Sequence, residues 1–190
     1  MKNLSKTPLF LSRRNFTITL LSTFLTTDHA YCENINELNQ IIKSLAPIRG
    51  QTISQGYSSH NRKELFIDNR RLLIDPDRHV DIEVYFDYNS DVITPRAKKQ
   101  LIPLGRALSS PELSNNSYLV AGHTDAVGDD DFNLDLSRRR AASVSRFLIE
   151  TYPIDPNRLI VTGFGWHKLK NSRNPKAAIN RRVEIVLIIN

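Results

Sequence analysis

From Val80 to Ile189 the spacing of the apolar residues switches repeatedly between two periods, and that alternation constrains the fold more than any other feature of the chain. Val80, Ile82, Val84 and Phe86 alternate with polar residues, the period-two pattern of a half-buried strand. Thr94-Pro95 then starts a helix, with the threonine as N-cap and the proline at the first helical position. Ala97, Leu101, Leu104 and Leu108 follow at helical spacing, and Pro103 is expected to kink that helix. Residues 118–122 read as a second strand and 159–162 as a third. Between them Asn133 is a suitable cap for a long helix ending near Thr151, with Asp135 near its positive end and Pro153 and Pro156 at its exit. Residues 183–189 are almost wholly apolar, as a central strand requires. This order predicts an α/β fold: a two-layer βαβαββ sandwich with a mixed four-stranded sheet and helices on one face.

The N-terminal part is patterned differently. Ser12-Arg13-Arg14-Asn15-Phe16 opens a charge-free run to Thr27, followed by the small residue Ala30. A basic segment, a short apolar segment and a small residue are the parts of a signal peptide. The S-R-R-x-F pattern resembles a twin-arginine export signal, although Thr17 stands where that pattern has leucine. Residues 1–30 are therefore expected to be an export signal. Residues 31–78 form an extension or linker: Ile35, Leu38, Ile41, Ile42 and Leu45 at helical spacing, a polar stretch from Gln51 to Lys63, then an apolar and basic piece, 65–74, fit for one or two edge strands. Cys32 is the only cysteine, so an internal disulfide and a cysteine-built metal site are excluded, and Tyr31 before it does not suit lipidation.

Four cations against Asp28 put +3 of the formal net charge of +6 into the first thirty residues. The remaining excess is too small, and too little interleaved with aromatics, for nucleic acid. It does suit an anionic polymer.

Two segments carry the chemistry. Gly122-His123-Thr124-Asp125-Ala126-Val127-Gly128 places a carboxylate in a glycine-flanked connection between a strand and a helix, a frequent position for binding groups. In the helix that follows, Leu136, Val144 and Leu148 share one stripe, and Arg140 falls on the same stripe, while Arg138 and Arg139 are rotated away from it. Taken alone, Asp125 reads more readily as a turn or capping residue than as a ligand contact, and Arg140 more readily as one side of an internal salt bridge or a snorkelling side chain. Taken together, they suit a ligand bearing both an ammonium and a carboxylate.

The patterns G-H-T-D-x-x-G and N-x-x-L-S-x-x-R-A-x-x-V closely resemble the OmpA-like peptidoglycan-binding domain. The likeness extends from Tyr85-Phe86-Asp87-Tyr88-Asn89-Ser90 through Gly163-Phe164-Gly165 to Asn180-Arg181-Arg182-Val183-Glu184-Ile185, so that residues 79–190 are expected to form that domain. The resemblance implies non-covalent binding of the diaminopimelate residue of peptidoglycan. Asp125 would hold the ammonium and Arg140 the carboxylate, with backbone donors near Thr124, Ala126, Val127 and Asn133, and Arg181 also toward the ligand. Arg182, beside a central strand, is the less structural of that arginine pair if it points outward. The segment Trp166-His167-Lys168-Leu169-Lys170 departs from the family pattern. The resemblance further implies a periplasmic or outer-membrane-associated protein of the cell envelope, no cofactor, and envelope proteins as partners of 31–78.

The sequence leaves two rival readings. An exported metal-binding protein would use His123, Asp125 and His167. A hydrolase would need more than Ser137 and His123, since no G-x-S-x-G elbow is present, and no enzymatic activity is expected.

Overall fold

In the computed structural model the described residues are 24–47 and 62–189. Most of the expected export signal, residues 1–23, lies outside them. The chain divides into two units, Met1–Glu33 and Asn34–Asn190. A helix, α1, runs Phe24–Leu45. The second unit continues with β1 (Lys63–Ile67), β2 (Arg70–Ile82), α2 (Pro95–Leu108), β3 (Ser117–Gly122), α3 (Asp130–Thr151), β4 (Leu159–Gly163) and β5 (Val183–Ile188).

The fold is α/β, as expected, but the sheet has five strands in the order β1-β2-β5-β3-β4 rather than four. The apolar strand β5 is central, antiparallel to both β2 and β3, while β3 and β4 are parallel. Apolar residues of α1, α2 and α3 pack on one face: Ile41 and Leu45, then Leu101, Leu104 and Leu108, then Val144 and Leu148, against Tyr118, Val120, Ile185 and Leu187.

The extra strand comes from the segment read as part of the extension. β1 and β2 form a hairpin whose two-residue turn, Asp68-Asn69, has both residues at positive φ (46° and 61°), the geometry that matches strand twist. Asp and Asn tolerate that conformation better than most residues. The register of β2 on β5 shifts between Asp75 and His79, around Pro76, which has no N–H to give to a ladder. From there the hairpin brings Leu65, Ile67, Leu72 and Ile74 onto Leu119, Ala121, Val186 and Ile188, making a second core on the sheet face away from the helices. The strand expected at 80–86 thus ends at Ile82, and Phe86 belongs to the loop that follows.

α2 begins as expected, Thr94 Oγ1 accepting from the N–H of Ala97 at 3.1 Å, and it continues through Pro103. α3 starts earlier than expected. Its cap is Asp129, whose carboxylate accepts from the Phe132 N–H at 3.1 Å, so Asn133 lies inside the first turns and is buried. Asp129 wins because it is extended, at φ −75° and ψ 148°, and Asp130 and Asp131 then sit in the positively polarised first turn.

Candidate functional site

α3 lies unusually close to the strand ends. Gly122 and Gly163 are register partners on β3 and β4. A Cβ on Gly122 would come within 1.9 Å of the Ser137 carbonyl oxygen, and one on Gly163 within 2.4 Å of Ser137 Oγ. Only two adjacent glycines let the helix settle there. Ser137 Oγ then accepts from the N–H of Gly165 at 2.9 Å, and Gly165 in turn accepts from Thr124 N–H at 2.8 Å. Helix, strand end and both loops are fastened at one point.

Above this point opens a cavity of about 430 Å³. Six of the seven residues singled out for ligand contact line it: Thr124, Asp125, Val127, Asn133, Arg140 and Arg181. Ala126 does not; its N–H donates to the Pro175 carbonyl at 3.0 Å. The proposed backbone donors are committed inside the protein, because Val127 N–H reaches Asp125 Oδ1 at 3.3 Å and Asn133 N–H donates to the Asp129 carbonyl at 3.0 Å. What the loop offers instead is Thr124 Oγ1, buried and without a partner among the described residues.

Asp125 combines both roles left open by the sequence. One carboxylate oxygen closes the turn onto Val127, and the other receives Arg181 Nη1 at 2.6 Å. Its side chain is 13% exposed, that of Arg181 47%. Arg140 is not in a salt bridge among the described residues. Its Nε donates to the Ser90 carbonyl at 2.9 Å and Nη2 to the Asp87 carbonyl at 3.4 Å, and its guanidinium lies 5.0 Å from the centre of the Phe86 ring. Burial, and next the charge of Arg181, draw its pKa below the ordinary arginine value. Arg138 and Arg139 are turned away as expected, to Asp68 at 3.3 Å and to Asp135 and Asp91 at 2.8 and 3.1 Å.

The opposite wall is one that the sequence motifs do not single out. Phe86 to Asn89 line the cavity, with Tyr88 fully exposed at its mouth, and Phe132 and Leu136 complete it. The available signal was a dense aromatic cluster between a strand and a helix cap; Asn89, at φ 51°, marks the turn.

Arg182 reverses its expectation. Its side chain is 9% exposed and holds Asp81 at 2.7 Å and the Lys168 carbonyl at 3.3 Å. The 166–170 loop is tied down beside it, Lys170 to Asp81 at 2.5 Å, and Lys168 over the Phe164 ring at 3.2 Å. Burial, reinforced by the charge of Lys63, pushes the Lys168 ammonium down to about 8.

The three residues considered for a metal point to three different partners. His123 Nε2 meets Glu184 at 3.1 Å, Asp125 meets Arg181, and His167 meets Asp130 at 2.9 Å. No group of three metal-ligating side chains occurs among the described residues.

Residues 85–182 match the OmpA family. Among curated relatives, the chain is 34% identical over 109 residues to the outer membrane protein Omp38 of Acinetobacter baumannii, covering 56% of this chain and 30% of that one. It is 33% identical over 110 residues to outer membrane protein A of Bordetella avium, covering 56% and 54%. The chain thus spans about a third to a half of the length of these relatives. Among solved structures, the OmpA-like domain of FopA1 from Francisella tularensis superposes with a TM-score of 0.49 at 19% identity, covering 66% of this chain and 77% of that one.

Proposed function

The chain belongs to the OmpA family, and from that membership and the charges of the cavity we propose that it binds peptidoglycan non-covalently and so anchors or stabilises the cell envelope. The ligand group is the free end of a diaminopimelate side chain. The observation that carries this reading is one cavity holding the Asp125 carboxylate and the Arg140 guanidinium, the latter anchored by carbonyls and facing no carboxylate of its own. Arg140 then has N–H groups left for a ligand carboxylate, and Asp125 is the acceptor for the ammonium, both as charge-assisted hydrogen bonds. Thr124 Oγ1, Asn133 and Val127 add the remaining polar and apolar contacts.

The place of action is the periplasmic side of the cell envelope, in association with the outer membrane that the names of both relatives carry. Residues 1–30 serve as the export signal, of twin-arginine type, and the segment 31–78 provides the surface for envelope partners.

Co-sedimentation with diaminopimelate-type sacculi tests the reading, with free diaminopimelate as competitor. The protein should pellet with the sacculi and be released by the competitor. Asp125→Asn keeps the acceptor of the Val127 turn but removes the charge; it should weaken binding at least tenfold while shifting the Tm by only a few degrees, since its half-exposed partner Arg181 makes that ion pair worth about 0–1 kcal/mol. Arg140→Ala should lose binding likewise. A folded protein that ignores the sacculi would refute the proposal.

A further inference from the structure

The position offered to the ligand's ammonium is already filled. Arg181 Nη1 sits 2.6 Å from Asp125 Oδ2, and the other oxygen of that carboxylate is held by the Val127 N–H. Only 13% of the Asp125 side chain is exposed, so a ligand ammonium that closes on Oδ2 competes with Arg181 for the same approach and displaces it. Arg181 is half exposed on a long side chain and starts just after the turn Ala178–Asn180, so it can swing away without moving the sheet.

Displacement has an electrostatic consequence. Arg140 lines the same cavity, close enough that the charge of Arg181 is felt as a depression of its proton affinity, while Asp125 offsets that effect. When an ammonium takes Asp125, the two guanidiniums are left facing each other with their shared anion withdrawn. Asp87, the other carboxylate at the mouth, is exposed to water, where it compensates weakly. A ligand that brings its own carboxylate repairs the imbalance by lying between Arg140 and Arg181. A ligand with a lone ammonium does not.

We infer that Arg181 is a specificity-determining residue: it occupies the ammonium position in the empty site and is exchanged for a zwitterion, so that the cavity accepts an amino-acid end and rejects a lone amine. This inference rests on the peptidoglycan reading and deepens it. It makes discrimination a repulsive device as well as an attractive one, because the wrong ligand leaves the partly buried Arg140 and the half-exposed Arg181 without the carboxylate they share.

Titration calorimetry of the purified protein against three stem peptides tests it. One carries meso-diaminopimelate, one the same residue with its side-chain carboxylate amidated, and one lysine in its place. The wild-type protein should prefer the first over the other two by about fiftyfold or more. In Arg181→Gln the lone ammonium no longer displaces a guanidinium, so the lysine and amidated peptides should bind at least fivefold tighter than to wild type, while the diaminopimelate peptide weakens. Arg181→Lys, which keeps the charge, should retain the discrimination. An unchanged ratio in Arg181→Gln, or weaker binding of the lysine peptide by that variant, overturns the inference. Equal binding of all three peptides by wild type overturns it while leaving wall binding intact. Binding of none by the folded protein defeats the peptidoglycan reading itself, and this inference with it.

Discussion

His123 precedes the Thr124–Val127 loop and is wholly buried, with Nε2 on the Glu184 carboxylate and Nδ1 without a partner among the described residues. Burial holds the imidazole below its ordinary pKa of 6.5, against the opposing pull of Glu184. In the unfolded chain the ring takes up a proton as the pH falls past 6.5; in the folded protein it does so only at lower pH. The unfolded state therefore binds more protons in that interval, and stability, complete above about pH 6.5, is lost below it. Thermal melts should show the Tm falling between pH 7 and 5.5, and His123→Gln, which keeps a donor toward Glu184, should flatten that fall. An equal slope in the variant would assign the dependence to other groups; Asp81 and Glu184, held below the usual carboxylate range, titrate at lower pH still. At this scale the sequence is only partly legible. The choice of Arg140 among three consecutive arginines follows from helical rotation alone. The pairing of Arg181 with Asp125 joins residues 56 apart and has no local signature. Nor does any spacing say that the N–H groups of Thr124, Ala126 and Val127 are taken.

The elements are set by how closely α3 approaches β3 and β4. The contact places Asn133 and Arg140 together, since both ride on one rigid helix whose Ser137 sits on Gly122 and Gly163. A methyl on Gly163 would stand 2.4 Å from Ser137 Oγ, 2.5 Å from the Arg138 nitrogen and 2.8 Å from the Leu134 carbonyl oxygen. Two of those three atoms are backbone, so no rotamer change relieves the clash and the helix itself must lift. Gly163→Ala should destabilise by about 1–3 kcal/mol, the range for overpacking, and lower the Tm by several degrees. It should also weaken sacculus binding, although residue 163 is outside the cavity, because Arg140 moves with the helix while the 86–89 loop does not. A variant with the wild-type Tm would mean that α3 does not seat on these glycines. Most helices and strands were readable because each keeps one period long enough to register. The cap of α3 is not legible in sequence because Asp129, Asp130, Asp131 and Asn133 all suit the role, and only backbone conformation separates them.

For the whole molecule, the consequential element is the β1–β2 hairpin. Its sequence was legible only as an apolar piece, since Pro76, Asp77, Arg78 and His79 interrupt the alternation where the strand bulges. The Asp68-Asn69 turn between Leu65, Ile67 and Leu72, Ile74 was the signal that the two runs pair. Sequence resemblance begins at residue 85, yet the sheet begins at Lys63, and the face carrying Leu119, Ala121, Val186 and Ile188 is covered by hairpin residues. A fragment 79–190 would keep the cavity's lining but uncover that face, and it would strip the β5 edge of its partners at Ile74 and Asp75. Contiguous apolar surface of this kind, beside an unpaired strand, drives association. The α1 residues Ile41 and Leu45, buried on the opposite face, would be lost as well. Fragment 34–190 should therefore melt cooperatively and stay monomeric. Fragment 79–190 should bind an apolar dye, lose its sharp transition and self-associate. If the shorter fragment instead melts as sharply as the longer one and binds sacculi equally, the hairpin is dispensable to the fold and the second core contributes little to holding the site in place.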